Sequence, residues 1–310
     1  MPEIVITEFI DLEPVERLKA HYSVHLDEEL WQKPDELMAL ARDAKALIVR
    51  NRTQVSEAVL KSGPGLKAIG RLGVGLDNID VAACEKRAIA VLPAFGVNAR
   101  SVAEYVLASA LMLLRGSAYF GAERLAAGQW PRAEMGQGRE AEARTMGLIG
   151  FGSIGRVTAG LARAAGLRTI AYDAQLEAGK TVEDTELVDF AALLARADIV
   201  SLHCPLTAQT RNLIAQKELA AMKPGAIVIN TARGNIVNEQ ALADALRSGH
   251  LGGAAVDVFA SEPITSDAGA IFKGLPNVIL TPHIAGITVE SNARTSAVTV
   301  DNVLRALGKE

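Results

Sequence analysis

Residues 150–155 read Gly-Phe-Gly-Ser-Ile-Gly, and no other stretch of the 310-residue chain restricts its fold as strongly. A lone G-x-G-x-x-G is weak, but this one follows a short apolar strand candidate, TMGLI, and opens a helix candidate, IGRVTAGLARAAG. A second strand candidate, LRTIAYD, then ends on Asp173. Strand, glycine turn, helix, strand and acid together form the setting of a dinucleotide-binding βαβ unit. Gly150, Gly152 and Gly155 let backbone approach a pyrophosphate, and the helix start at Ser153 and Ile154 offers unpaired N–H donors. The Asp173 carboxylate can accept from ribose hydroxyls but would repel a 2′-phosphate, and no arginine follows it in DAQLE. The expected cofactor is NAD rather than NADP.

The same alternation of β-branched runs and helical stretches extends on both sides. EIVITEF, ALIVRN, LKAIGRLG and AIAVLPA lie in the first third, and TMGLIG, LRTIAYD, DIVSLHC, GAIVINTAR, GGAAVDVF and NVILTPH in the remainder. Such a pattern predicts an α/β fold with parallel sheets. Two separate alternations, only the second carrying the glycine loop, predict two domains. HYSVH reads as the end of a helix, and GAERLAAGQWPRAEMGQGREAEAR loses apolar periodicity and reads as a connection.

Several function classes are disfavoured. A formal net charge of -4 with mixed signs gives no basic stripe for nucleic acid or an anionic membrane surface. The longest apolar run, YVLASALMLL, is about half of the roughly 20 residues that a spanning helix needs. The acidic start, MPEIVITEFIDLE, is unlike a secretion signal. Two distant cysteines, Cys84 and Cys204, indicate neither a disulfide framework nor a thiolate metal site, so the cytoplasm is the expected compartment.

Ligands of an open parallel sheet bind beyond the carboxyl ends of its strands. Immediately past the strand candidates of the second half stand the glycine loop, His203, Arg233, Glu262 and His283. Each alone reads as a structural histidine or a solvated charge. On one edge beside a nicotinamide site, an acid/base histidine, a carboxylate to orient it and a cation form a chemical set. His203, Cys204 and Pro205 read as lining for the cofactor. A thiol nucleophile at Cys204 lacks a placed base. His21 and His25, an i, i+4 pair, lack a third ligand and read as surface histidines. No metal is expected, since the spacing of His203, Glu262 and His283 matches no zinc signature.

GFGSIG, NTARGNIVNEQAL, AAVDVFASEP and TPHIAG, with RLGVGLDNID in the first half, resemble the motifs of the D-isomer-specific 2-hydroxyacid dehydrogenase family. The resemblance implies a Rossmann-type doubly wound parallel sheet plus a smaller flavodoxin-like α/β substrate domain. The smaller domain would be discontinuous, built from 1–97 and 286–310, with the NAD-binding domain at 98–285. It implies that Arg233 binds the substrate carboxylate and polarises the keto oxygen, and that Glu262 orients His283, the acid/base. Val74 and Gly75 would offer N–H groups to the same carboxylate, with Asn98 at the first crossing between domains. Cofactor contacts would extend to Thr231, Ala232, Asp257 and Gly286. A homodimer is implied, as is an alternative class of NADH-sensing corepressors; because the chain stops soon after its last helix, an enzyme is expected. Two departures stand out: EAEARTMG before the glycine loop, and Tyr105 in Ala103-Glu104-Tyr105 where the family commonly has histidine.

The substrate is expected to be a small 2-oxo acid with a second anionic group. Arg50 and Arg52, flanking Asn51, follow the strand candidate ALIV, and Arg71 precedes the Val74–Gly75 loop. A phosphate, sulfonate or second carboxylate would each suit such guanidinium groups. Phosphohydroxypyruvate, sulfopyruvate and hydroxypyruvate therefore rank ahead of pyruvate.

Overall fold

Strands buried on both faces must be flanked by helices on both sides, and the chain supplies them twice. The computed structural model describes residues 1–309 and divides into two units, Met1–Asn98 with Ile287–Glu310, and Ala99–Gly286.

The first unit holds β1 (Ile4–Ile6), β2 (Val24–Leu26), β3 (Ala46–Val49), β4 (Ala68–Arg71) and β5 (Ala90–Pro93). They form one sheet in the order β2-β1-β3-β4-β5, every pairing parallel, which is the flavodoxin-like order. Leu37, Leu60 and Cys84, from three short helices, pack on one face. Val15 and Leu18 from Leu12–Lys19, and Val300, Val303 and Leu304 from Val289–Ala306, pack on the other. Gly70 explains how closely that last helix seats: a Cβ there would lie 2.7 Å from Val303. HYSVH, expected to end a helix, instead runs into β2. Val5 pairs with His25 there, and a three-residue edge strand leaves too little alternation to be read from sequence. Nor is His25 wholly a surface residue, because its Nε2 is buried.

The second unit holds β6 (Thr145–Ile149), β7 (Arg168–Tyr172), β8 (Thr181–Val182), β9 (Thr185–Leu187), β10 (Ile199–Leu202), β11 (Ile227–Asn230), β12 (Gly253–Val256) and β13 (Val278–Leu280). Their order is β13-β12-β11-β10-β6-β7-β9-β8, and β8 alone runs antiparallel to its neighbour. The order reverses at β6, between β7 and β10, which is the switch point where a doubly wound sheet binds its ligand. Helices Ala99–Leu114 and Ser153–Ala164 cover one face; Phe190–Arg196, Gln216–Ala221 and Glu239–Arg247 cover the other. The β8–β9 hairpin was not legible in sequence. Its turn places Glu183 and Asp184 at φ 48° and 56°, a conformation usually announced by Asn-Gly or Asp-Gly. The stretch read as a connection contains short helices at Ala122–Ala126 and Arg132–Met135. Leu125 and Trp130 stand exposed along it, as do Tyr119 and Phe120 immediately before it. Among the described residues no helix is long and apolar enough to cross a membrane.

Candidate active site and cofactor cradle

The glycine loop leaves β6 with each glycine answering a different constraint. Gly150 has φ 95°, and a Cβ on it would lie 2.8 Å from the His203 carbonyl. A Cβ on Gly155 would lie 2.4 Å from the Gly150 carbonyl oxygen, so that position lets the helix close on the loop. A Cβ on Gly152 would meet nothing within 4 Å. Gly152 also caps the helix Ser153–Ala164 without a side-chain hydrogen bond, which leaves the first amides open for an anion. Past β7, the Asp173 carboxylate accepts from Phe151 N at 2.8 Å and from Gln175 N at 2.9 Å. The acid thus shapes the glycine loop as well as facing its ligand edge.

Past β10, His203 Nε2 lies 3.0 Å from Ser201 Oγ while Nδ1 is buried without a partner. The residue as a whole is half-buried, yet burial of the ring lowers its pKa to about 4, so it is neutral. Burial chiefly pushes the adjacent Cys204 thiol up to about 11; a thiol with that value is a poor nucleophile. Pro205 accepts from Thr210 Oγ1 through its carbonyl at 2.6 Å. The Thr231 hydroxyl, past β11, is likewise buried without a partner. Two orphaned polar atoms at the ends of adjacent strands, with open space over Gly152, fit a bound dinucleotide.

The chemical set assembles through one close approach. A Cβ on Gly234 would lie 1.8 Å from the Phe259 carbonyl oxygen, so only glycine lets the loop after β11, carrying Arg233, press against the loop after β12, carrying Glu262. Asn230 Nδ2 donates to the Arg233 carbonyl at 3.0 Å, and Arg233 donates to the Ala232 carbonyl at 2.6 Å. Glu262 accepts from Phe259 N at 2.9 Å and pairs with His283 Nδ1 at 2.7 Å. Burial raises the Glu262 pKa, but the bonds from His283 and Phe259 and the nearby positive charge outweigh it, and the net shift is downward. Because a carboxylate only accepts, Nδ1 carries the proton and Nε2 is left for a reacting group. His283 itself has φ 57°, unusual for a residue with a side chain. Its N–H donates to the carbonyls of Asp257 and Thr281 at 2.8 and 3.0 Å. Asp257, expected among the cofactor contacts, is 1% exposed. Its carboxylate accepts from Thr281 Oγ1, Ile284 N and Ala285 N at 2.6, 2.8 and 2.9 Å. It clamps the loop that presents His283 and ends at Gly286.

In the first unit, the loop after β3 wraps a carboxylate that sequence reasoning missed. Glu8 is 4% exposed and accepts the amides of Arg50, Asn51, Arg52 and Thr53 at 2.9, 3.3, 3.0 and 3.0 Å. Arg50 lies 5.7 Å from the Phe9 ring centre and donates to Asn292 Oδ1 at 2.8 Å; burial lowers its pKa against the pull of Glu8 and Asp11. Arg52 is exposed and lies 4.9 Å from the Trp31 ring centre. Arg71 differs from both. It is 8% exposed, and it donates to the Leu72 carbonyl and, at 2.7 Å, to that of Gly75. It shapes the Val74–Gly75 loop, which leaves Arg50 and Arg52 as the guanidinium groups suited to an incoming anion. Asn98 Oδ1 is buried without a partner. His25, Asp27 and Glu36 cluster closely enough to hold a metal ion, but Lys33 lies 2.7 Å from Asp27 and 4.0 Å from Glu36, so an ammonium already fills the cationic position.

A family model described as "D-isomer specific 2-hydroxyacid dehydrogenase, NAD binding domain" matches residues 107–285. The chain belongs to this family. The dehydrogenase is 50% identical over 312 residues to the (S)-sulfolactate dehydrogenase of Chromohalobacter salexigens, covering 99% of each chain. It is 37% identical over 303 residues to the hydroxypyruvate reductase of Thermotoga maritima, covering 98% of this chain and 97% of that one. Among solved structures, the TT0316 protein of Thermus thermophilus superposes with a TM-score of 0.89 at 33% identity, over 99% of this chain and 97% of that one. The dehydrogenase is an NAD-dependent enzyme that interconverts 2-oxo and 2-hydroxy acids; relatives named as dehydrogenases and reductases do not favour the sensor alternative.

Proposed function

We propose that the enzyme reduces 3-sulfopyruvate to (S)-sulfolactate and catalyses the reverse oxidation, with His283 as acid/base, Glu262 as its orienting partner and Arg233 as the cation beside the keto oxygen. The 2.7 Å contact between His283 Nδ1 and Glu262 carries the catalytic part of this reading. When bound, NADH supplies a hydride to C2. The oxygen that gains charge takes the proton from His283 Nε2, while Arg233 stabilises the charge as it develops. His283 keeps the proton on Nδ1 throughout, donating it in the hydrogen bond to Glu262. Reduction therefore starts from the doubly protonated ring and oxidation from the neutral one.

The sulfonate rests on Arg50 and Arg52, two guanidinium groups on one loop, and on the full-length relative named for sulfolactate. The label (S) fits D geometry. Sulfur makes the CH2SO3 arm outrank the carboxylate, which reverses the descriptor without moving any atom. In the same reading Val74, Gly75 and Asn98 bind the substrate carboxylate. Gly150, Gly152, Ser153, Ile154, Gly155, Asp173, His203, Pro205, Thr231, Ala232 and Gly286 hold NAD. We further propose a cytoplasmic homodimer, supported by the two free cysteines and by Tyr119 and Trp130 at 60% and 80% exposure.

The test is kcat/KM for sulfopyruvate, phosphohydroxypyruvate, hydroxypyruvate, pyruvate and phenylpyruvate, followed by NADH absorbance. Sulfopyruvate should lead, and Arg50→Ala and Arg52→Ala should each narrow its lead over pyruvate by about tenfold, the worth of one charged contact. A best rate with pyruvate or phenylpyruvate would overturn the substrate, and near-normal turnover by His283→Ala would overturn the mechanism.

A further inference from the structure

Tyr105 is where the sequence departs from the pattern of its family, and its phenol enters a defined chain of hydrogen bonds. Its oxygen lies 2.6 Å from Thr281 Oγ1, and Thr281 Oγ1 lies 2.6 Å from Asp257 Oδ1. Oδ1 also accepts Ile284 N at 2.8 Å, and Oδ2 accepts Ala285 N at 2.9 Å. The polarity of this chain is fixed. A carboxylate accepts only, so Thr281 must donate to Asp257; its remaining lone pairs face Tyr105, which must donate to Thr281.

Successive O–H groups ending on an anion polarise one another, and bonds of this length to a carboxylate are the strong kind. The far end of the chain is the peptide of the acid/base. His283 holds φ 57°, a conformation unfavourable for a residue with a Cβ that persists only where the surroundings over-determine it. The Asp257 carboxylate supplies that restraint on the following two amides, and its own carbonyl accepts the His283 N–H at 2.8 Å. Tyr105 sits in the long helix Ala99–Leu114, a rigid base from which to hold a loop. Burial, chiefly, keeps its phenol protonated by raising its pKa, so the donor persists across the working range.

We infer that Tyr105 is a positioning residue for His283, acting through Thr281 and Asp257 to hold the acid/base loop in its left-handed conformation. This rests on His283 being the acid/base. A loosened loop spoils the alignment of Nε2 with the reacting oxygen and leaves binding groups elsewhere untouched, so its signature is a loss in kcat without a matching change in KM.

The experiment compares wild type, Tyr105→Phe, Thr281→Val, Thr281→Ser and the double variant Tyr105→Phe/Thr281→Val. Tyr105→Phe removes one oxygen and should lower kcat about tenfold, with KM for the 2-oxo acid and the NADH dissociation constant within twofold of wild type. Thr281→Ser should retain most of the rate and Thr281→Val should not. The double variant should be no slower than Thr281→Val, since cutting one chain at two points removes one interaction. NADH titration shows that each variant has a folded cofactor unit. An additive double variant, a parallel rise in KM, or a kcat for Tyr105→Phe within twofold of wild type would overturn the inference. Near-normal turnover by His283→Ala would instead remove the reading beneath it.

Discussion

Replacing either of two glycines in the same loop by alanine should give opposite failures. At Gly152, φ is -80° and ψ is -157°, an extended conformation open to alanine, and the new Cβ would meet no protein atom within 4 Å. The fold should tolerate it to within about 0.5 kcal/mol, the usual range for a substitution that disturbs no packing. If the pyrophosphate of NAD uses that space, a methyl group holds it off the helix amides. Losing one hydrogen bond to a charged group, worth about 1.5–3 kcal/mol, weakens NADH binding by roughly ten- to a hundredfold. At Gly155 the Cβ would lie 2.4 Å from the Gly150 carbonyl oxygen. There the backbone must shift, at about 1–3 kcal/mol for overpacking, and a domain of this size loses several degrees in Tm. Thermal melts and NADH fluorescence titrations of both variants separate these effects. Gly152→Ala with normal NADH affinity would refute the placement of the cofactor; Gly155→Ala with an unchanged Tm would refute the packing argument.

Two further outcomes follow from groups in the same cradle. Asp173→Ala should raise the efficiency of NADPH relative to NADH by at least about tenfold, because a carboxylate about 4 Å from an added phosphate costs roughly 4 kcal/mol at an effective dielectric of 20 before screening; equal coenzyme ratios in wild type and variant would count against the ribose assignment. The pKa of His203 is lowered to about 4 in the folded protein, below the unfolded value near 6.5, so the unfolded chain binds the extra proton in the window between those values. Its contribution is complete above about pH 6.5 and is lost as pH falls toward 4, by up to about 3 kcal/mol. Wild type should therefore lose more urea resistance than His203→Asn between pH 7 and about 4.5, and equal losses would show that the ring is solvated.

Much of this architecture was legible because the informative residues are local. The glycine loop, its strand and its helix lie within about two dozen residues, and period and spacing report such units directly. Arg233, Glu262 and His283 could be placed on one edge because a parallel sheet sends all its strand ends the same way. What escaped has a different physical origin. Gly234 reads as one more glycine, and only the 1.8 Å approach to Phe259 reveals that it joins two loops. Glu8 and Tyr105 act over sequence separations of 42 and 176 residues, and no local pattern encodes such a pairing. Arg71 shares its charge with Arg50 and Arg52, but its donors are turned onto carbonyls of its own loop, and composition cannot register that difference.

The wrapping of residues 50–53 around Glu8 separates frame from function. Four successive amides that could have trapped a free anion are already satisfied from within, so in the proposed reading the backbone of this loop has no say in which acid is bound. Choice passes to side chains alone. The shape of the turn is guaranteed by a residue some forty positions upstream, so Arg50 and Arg52 can be exchanged for neutral or bulkier residues without unmaking the loop that carries them.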